Sequence, residues 1–558
     1  MIFSALALCV SLGVLAAAPA QAQEFDQGKP LDMPIALPPG PSTWLLGQVY
    51  GNTTGAYNNA ARWYSAGQGL HFGLDMSMVC GTPLVAVADG IVRGVDDLGF
   101  GSGPHNLILA HEQYGITTLY GHLLDRPPLV NGQSVVRGQV VGYSGDPDLT
   151  CDSRPHLHFE VRSLDYRTTY NPVDYISAAW HSLSGIGSFS SQTFQRDLDN
   201  ARQWMHLYDQ PEVFFGGRQL NEYAATWPTA DSPPNNPPLA RSLPPMGETA
   251  SVVQRRLTYQ GCCFWPWWDA TDPTLLYGID GGPNQRASVY TWRVGGGNEQ
   301  ATALQPAPQP FTSPDGTHTI SEEGDLFRIT NSASGESWTV NTEGAWPALN
   351  TNNTHLLWLR RSGVQVAGEA PPPLEVWVAN VRGENARLLA SQPGGSAVWL
   401  DATRVLATES GNQRSTLRVH NLIDGSVTDM GTYTRLRSLS IAPGGNRVMY
   451  YLSYQDDPQF DGVYMLDMQE GAAPVKLPWF GAWRWRDADS VYYIPFVPND
   501  NRMSLGYYHI PTATDRILTG PEQMAFTVAN GDWSVSADGQ RIAYLNAYDM
   551  TTWVLEFQ

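Results

Sequence analysis

At 558 residues, with 53 acidic against 33 basic side chains, the chain is too long for a single hydrophobic core. A formal charge of -20 also excludes capture of nucleic acid or other polyanions by the overall field, so such a substrate would have to be held by local contacts. Charged residues make up 15% of the sequence and aromatics 11%, beside 54 glycines and 41 prolines, a balance that suits short strands and turns rather than helical bundles.

Residues 1–18 are apolar apart from Ser4 and Ser11, and Ala20-Gln21-Ala22 offers a small-x-small cleavage site before Gln23. This reads as a secretory signal over residues 1–22. No Lys or Arg stands near Met1, and an uncleaved anchor is the competing reading, although the run is short of the ~20 residues that cross a bilayer. No later segment resembles a membrane span. With Cys9 in the signal, Cys80, Cys151, Cys262 and Cys263 remain, an even set that fits an oxidising compartment. The expected location is therefore secreted or cell-envelope.

Residues 23–69 are rich in Pro, Asn, Gly and Tyr without periodicity and are expected to form an extended lead-in wrapping the first domain. Residues 70–175 are dense in β signals. Thr82-Pro83-Leu84-Val85-Ala86-Val87-Ala88-Asp89-Gly90-Ile91-Val92 predicts strand, Asp-Gly turn and strand, and Leu107-Ile108-Leu109-Ala110-His111 is expected to pair with Ile116-Thr117-Thr118-Leu119-Tyr120 across Gly115. Residues 135–143 supply a further strand. In Pro155-His156-Leu157-His158-Phe159-Glu160-Val161 the period of two puts His156, His158 and Glu160 on one face and Leu157, Phe159 and Val161 in a core.

Residues 176–248 shift towards helix, most clearly at 194–204, and then towards a proline-rich linker around Ser232-Pro233-Pro234-Asn235-Asn236-Pro237-Pro238. From residue 249 to 558 a repeat sets in. Turn motifs precede apolar strands at Ala270-Thr271-Asp272-Pro273, Ser313-Pro314-Asp315-Gly316, Asn350-Thr351-Asn352-Asn353, Asp401-Ala402-Thr403, Ala442-Pro443-Gly444-Gly445, Asp487-Ala488-Asp489 and Ala537-Asp538-Gly539, at intervals of 37 to 51 residues. That interval is close to one four-stranded propeller blade. The repeats resemble TolB-type propellers, whose blades carry a Pro-Asp-Gly turn, intact here only at Pro314-Asp315-Gly316. Seven turns suggest seven blades, with six as the alternative. The expected fold is all-β: a small antiparallel domain followed by a six- or seven-bladed β-propeller.

The chemistry concentrates in the first domain. Catalytic zinc takes three N/O ligands from protein and keeps one position for water, and His71-Phe72-Gly73-Leu74-Asp75, Tyr120-Gly121-His122-Leu123 and the two-histidine strand supply such donors. These motifs, with Gly81-Thr82-Pro83, Asp89-Gly90, Gly132-Gln133 and Gly138-Gln139, resemble the LytM/lysostaphin-type zinc endopeptidases, which cut peptide cross-links of peptidoglycan, over about a hundred residues in the family's order. The resemblance implies that His71, Asp75 and His158 ligate Zn2+ and that His122 and His156 form the catalytic pair beside it. His156 lies two residues, about 7 Å along a strand, from His158, so it can flank a metal without binding it. His111 is expected to be structural, His105 a loop residue, Glu160 a neighbour of the ligands and Asp89 a turn residue. Cys80 follows Asp75 by five positions and Cys151 precedes His156 by five, so a fold that joins Asp75 and His158 at one metal would bring these thiols together in a disulfide. Two independent buried thiols are the alternative, and Cys262 with Cys263 reads as either a vicinal disulfide or a reduced pair.

The chain departs from the family at Arg154, where glycine usually precedes Pro-His-Leu-His, and in the Gly-rich loop 94–106. Both flank the substrate groove and bear on which bond is cut. The reading is an exported zinc metalloendopeptidase acting on peptidoglycan peptides, with a propeller that binds wall glycan or a protein partner. A catalytically silent peptidoglycan-binding or activator protein and a secreted protease on protein substrates are the alternatives. Trp265, Trp267, Trp268, Trp483 and Trp485 are expected as blade core, with a ligand platform as the competing reading.

Overall fold

The computed structural model describes residues 28–186, 195–198, 205–222, 239–247, 251–258, 264–280, 288–295, 302–303, 311–363, 371–524 and 526–558. The signal segment, the proline cluster, Cys262, Cys263 and the side chain of Trp265 lie outside the described residues.

The first domain is built on one antiparallel sheet of nine strands. Its path runs β1 (Trp44–Gln48), β2 (Leu74–Met78), β9 (His156–Ser163), β6 (Ile116–Gly121), β5 (Leu107–His111), β4 (Gly90–Val95) and β7 (Ser134–Val135), with β10 (Thr168–Tyr170) and β11 (Val213–Phe214) joined beside β9. The strands before and after Asp89-Gly90 do not form a hairpin with each other: β3 (Pro83–Val85) pairs with β8 (Val140–Tyr143), while β4 pairs with β5 and β7. The hairpin across Gly115 forms with Leu107 opposite Tyr120 and His111 opposite Ile116.

Alternation on β9 works as the period of two requires. Leu157, Phe159 and Val161 are fully buried in a core with Leu74, Met76, Tyr120 and Leu109, and the polar set takes the opposite face. The lead-in does more than wrap. Its apolar Trp44-Leu45-Leu46 run becomes edge strand β1, paired with β2, and Thr53 caps the short helix α1 (Thr54–Asn59) by accepting from Ala56 N–H.

Beyond the sheet lies α2 (Trp180–Ser184). Of residues 194–204, expected to be helical, only 195–198 are described; Gln195 makes a bridge to Thr53, and the rest of that stretch lies outside the described residues.

The remainder is a propeller of seven four-stranded antiparallel sheets. Each of the seven turn motifs falls between the first and second strands of a blade, which is why counting turns counts blades. A short polar side chain closes most of these turns on its own backbone, as where Asp401 Oδ1 accepts from Thr403 and Arg404 N–H, Asn350 Oδ1 from Thr354 N–H and Asp538 Oδ1 from Gln540 N–H, while the Gly444-Gly445 turn closes through Gly445 N–H to the Ala442 carbonyl. The ring is closed by strand Val252–Arg256, which pairs with the last strand, Thr552–Phe557, so the two ends of the propeller share one blade. Trp268 and Trp483 are buried in blade cores, Trp483 and Trp485 both donate to Ser440 Oγ, and Trp267 stacks on Tyr277.

The two domains share packing. Leu45 of β1 and Ile186 join a cluster with Met449, Tyr451 and Trp483, and the Tyr454 hydroxyl donates to the Ser77 carbonyl at 2.7 Å. Among the described residues no helix is long and apolar enough to cross a membrane.

Candidate metal centre

Three separate elements deliver the donors. Strand pairing places Asp75 of β2 opposite His158 of β9, with Ser77 opposite His156, and Gly121 of β6 flanks His158 from the other side. His71 stands just before β2, where its backbone bridges Gly51 of the lead-in. Gly73 lets this segment lie against β9, since a β-carbon there would meet the Phe159 carbonyl oxygen at 2.6 Å and the His158 ring at 2.8 Å.

His71 Nε2, Asp75 Oδ1 and His158 Nδ1 form a triangle with sides of 3.2, 3.2 and 2.8 Å. Metal–ligand bonds of about 2.0 Å at tetrahedral angles give edges of about 3.3 Å, so these atoms suit one small divalent ion. The outer nitrogens are also held as such a centre needs. His71 Nδ1 lies 2.7 Å from the Val49 carbonyl and must carry the hydrogen, which leaves the Nε2 lone pair for the centre. His158 Nε2 faces Glu160 Oε1 at 3.3 Å, outside good hydrogen-bond geometry, with Nδ1 turned inward. Burial opposes charge on His158, yet Asp75 and Glu160 outweigh it and hold its pKa at about 9. Burial likewise opposes the charge on Asp75, but His71, His156 and the bond from His158 hold that carboxyl well below the usual range.

Glu160 is fully buried and is clamped by Arg162, whose Nε and Nη2 reach its two oxygens at 2.6 and 2.8 Å. Burial resists this carboxylate, and Arg162 with His158 brings its pKa down to about 2. Arg162 is further held over the Phe215 ring and by the Phe100 carbonyl.

His122 and His156 sit together at the rim, ring centroids 4.7 Å apart. His156 Nδ1 donates to the Arg154 carbonyl at 2.7 Å, and His122 Nδ1 donates to the Gly103 carbonyl. Both rings are therefore fixed with Nε2 as the free acceptor. His156 Nε2 is 3.7 Å from Asp75 Oδ1. Burial lowers both pKa values, that of His122 to about 3 with the neighbouring histidines adding to the effect, so both rings are neutral at pH 7. His122 adopts φ of +55°, a left-handed conformation that costs about 1 kcal/mol or more, and Ser102 and Gly103 of loop 94–106 hold it there.

The other histidines stand apart from this cluster. His111 is buried between the Asp89 carbonyl and Thr118 Oγ1, and His105 pairs with Asp96 in the loop. Cys80 and Cys151 form a disulfide with Cα atoms 5.9 Å apart, pinning loop 146–154 beside the two-histidine strand. Arg154 does not enter the cluster; its guanidinium lies over the ring of Trp63. Sequence reasoning missed Val49, which orients His71, and Tyr64, whose ring packs edge-on to His71, because both lie in the aperiodic lead-in. It also missed Arg162, which the alternation along β9 would have placed on the same face.

A β domain whose motifs converge on a His-Asp-His donor set is the architecture of a metallopeptidase. Residues 69–174 match the model of peptidase family M23, and this part of the chain is an M23 domain of the LytM/lysostaphin type. Lysostaphin of Staphylococcus staphylolyticus is 29% identical over 119 residues, covering 21% of this chain and 24% of that protein. The DD-carboxypeptidase/endopeptidase Mpg of Neisseria meningitidis serogroup B is 35% identical over 111 residues, 20% of this chain and 23% of that protein. The matched part thus spans about a quarter of the length of these relatives. Among solved structures, the catalytic domain of lysostaphin from Staphylococcus simulans is 24% identical and covers 23% of this chain and 89% of that one, at a TM-score of 0.18.

Proposed function

We propose that the chain is an exported zinc metalloendopeptidase that hydrolyses peptide cross-links of peptidoglycan, with the propeller contributing to substrate or partner binding. The observation that carries this reading is the triangle of His71 Nε2, Asp75 Oδ1 and His158 Nδ1 beside two neutral histidines whose Nε2 atoms are free. The endopeptidase activity named in the relative Mpg points the same way.

In this reading His71, Asp75 and His158 hold the zinc ion, which when bound supplies Lewis acidity. His122 and His156 do the proton work. Each keeps its Nδ1 hydrogen on a backbone carbonyl, so each offers Nε2 as a base without turning its ring. One takes a proton from the attacking water, and an imidazolium so formed, held near Asp75, returns it to the leaving amine. The other, neutral with Nε2 free, orients that water by accepting its second hydrogen. Glu160, held in place by Arg162, faces His158 Nε2 while Nδ1 turns inward.

The test is digestion of purified peptidoglycan followed by mass spectrometry. Wild type should release peptide-cleaved fragments and His71→Ala should not. Equal release by both proteins would rule out the assignment, and intact glycan strands with cut peptides distinguish this activity from glycan cleavage.

A further inference from the structure

The cleft between the two domains has a wall of each charge. It encloses about 580 Å³, lined on the peptidase side by Asp148 and Asp152 and on the propeller side by Arg414, Arg435 and Arg437. Elsewhere the propeller arginines are commonly matched with carboxylates, as Arg404 with Asp401, Arg447 with Asp467 and Arg486 with Asp487. Among the described residues no carboxylate lies within ion-pair distance of these three arginines, and Asp461 acts on Arg435 from farther away. In a chain with a net charge of -20 such a convergence of guanidinium groups outside close ion pairs makes this wall a place for an anion.

The wall is also rigid. Arg437 lies over the Tyr454 ring and donates to Ser77 Oγ at 3.2 Å. Arg435 donates to Gln413 Oε1 and to the Tyr454 carbonyl, and Gln413 Nε2 in turn donates at 2.6 Å to the carbonyl of Cys151. The propeller therefore grips the loop that the disulfide anchors. Because Ser77 is directly opposite His156 in the sheet, its side chain lies on the same face as Asp75 and His158. Arg437 thus meets the donor row at Ser77, which lies two residues or about 7 Å along β2 from Asp75.

The geometry points to a substrate subsite at the domain junction that takes a peptide bearing both a free carboxylate and an ammonium. The arginine wall receives the carboxylate through charge-assisted hydrogen bonds, and Asp148 and Asp152 receive the ammonium. A plain anion would meet the aspartates and a plain cation the arginines, whereas a peptide with both groups satisfies each wall. Uncrosslinked ends of wall peptides have this chemistry, so the inference rests on the peptidase reading for its biological occupant. The propeller is then the second wall of the substrate cleft and sets which peptides are accepted.

Binding, measured apart from cleavage, tests it. The probes are an N-acetylated alanine–lysine–alanine peptide with a free carboxyl terminus and the same peptide amidated, titrated calorimetrically into the full-length chain. Wild type should bind the free acid about tenfold more tightly, as loss of one or two charge-assisted bonds implies. Arg414→Gln with Arg437→Gln should bind the two alike. Arg414→Gln alone removes an exposed side chain and should reduce the preference without disturbing the fold, which decides the matter if the double variant is unstable. Equal or undetectable binding of both peptides by wild type, or an undiminished preference in Arg414→Gln, overturns the subsite. Absence of peptidoglycan cleavage with the preference intact would instead overturn the peptidase reading and leave the subsite standing.

Discussion

Asp75 and His158 lie 83 residues apart in the chain and directly opposite each other in the sheet, with His158 Nδ1 2.8 Å from Asp75 Oδ1. That single register, β2 against β9, makes one centre out of two distant motifs. A slip of one residue would turn either side chain to the opposite face.

Metal content follows from this contact. The full-length protein should bind one zinc per chain, and Asp75→Ala should lose it. Asp75 and Glu160 raise the pKa of His158 to about 9 against the cost of burial, so zinc at pH 7 competes with a proton on that ring. Calorimetry in buffers of different ionisation enthalpy should therefore find about one proton released per zinc bound, and no release would contradict the placement of His158 Nδ1.

The rim histidines should separate catalysis from metal binding. His122→Ala and His156→Ala are expected to retain zinc while peptide hydrolysis falls by about 10²–10⁴-fold. Loss of zinc in either variant, measured by elemental analysis, would make that residue a ligand instead.

Glu160 carries its charge in a fully buried position chiefly because Arg162 is clamped to it, with His158 adding to the effect. Arg162→Met should destabilise the first domain by about 3–5 kcal/mol, and Arg162→Met with Glu160→Gln should recover part of the loss. Chemical denaturation of the four proteins closes this cycle, and strictly additive effects would deny the coupling.

His181 offers a test of pH dependence away from the metal centre. It lies in α2 against the propeller, beside His206 at 5.1 Å, and neither ring nitrogen is hydrogen-bonded among the described residues. Burial, with His206 adding to it, takes its pKa down to about 3. In the unfolded chain the ring titrates near its ordinary value of ~6.5, so between about pH 6.5 and 3 the unfolded state binds the proton and the folded state does not. Stability is thus full above this window and falls as the pH drops through it. His181→Phe should lower the slope of melting temperature against pH between 7.5 and 5, and an unchanged slope would show that the ring is already charged in the folded protein.

Much of this protein is legible in the residue order because its signals are local. The alternation along 156–161 separates core from site face without any partner strand, and each propeller blade carries its own turn, in most of which a short polar side chain closes on nearby backbone. The family resemblance carried by the motifs around His71, Asp75, His122, His156 and His158 likewise nominates candidate donors before any fold is known.

What tertiary structure decided is everything made between segments that carry no period of their own. The aperiodic lead-in contributes β1 and the Val49 carbonyl that sets the His71 tautomer. Closure of the ring by strand Val252–Arg256 completes the last of seven blades. The contact of Arg437 with Ser77, 360 residues away, places a cation at the end of the metal site. Such contacts depend on two independently folded surfaces meeting in one orientation, and a side chain waiting to meet its partner leaves no trace in the hydrophobic pattern around it.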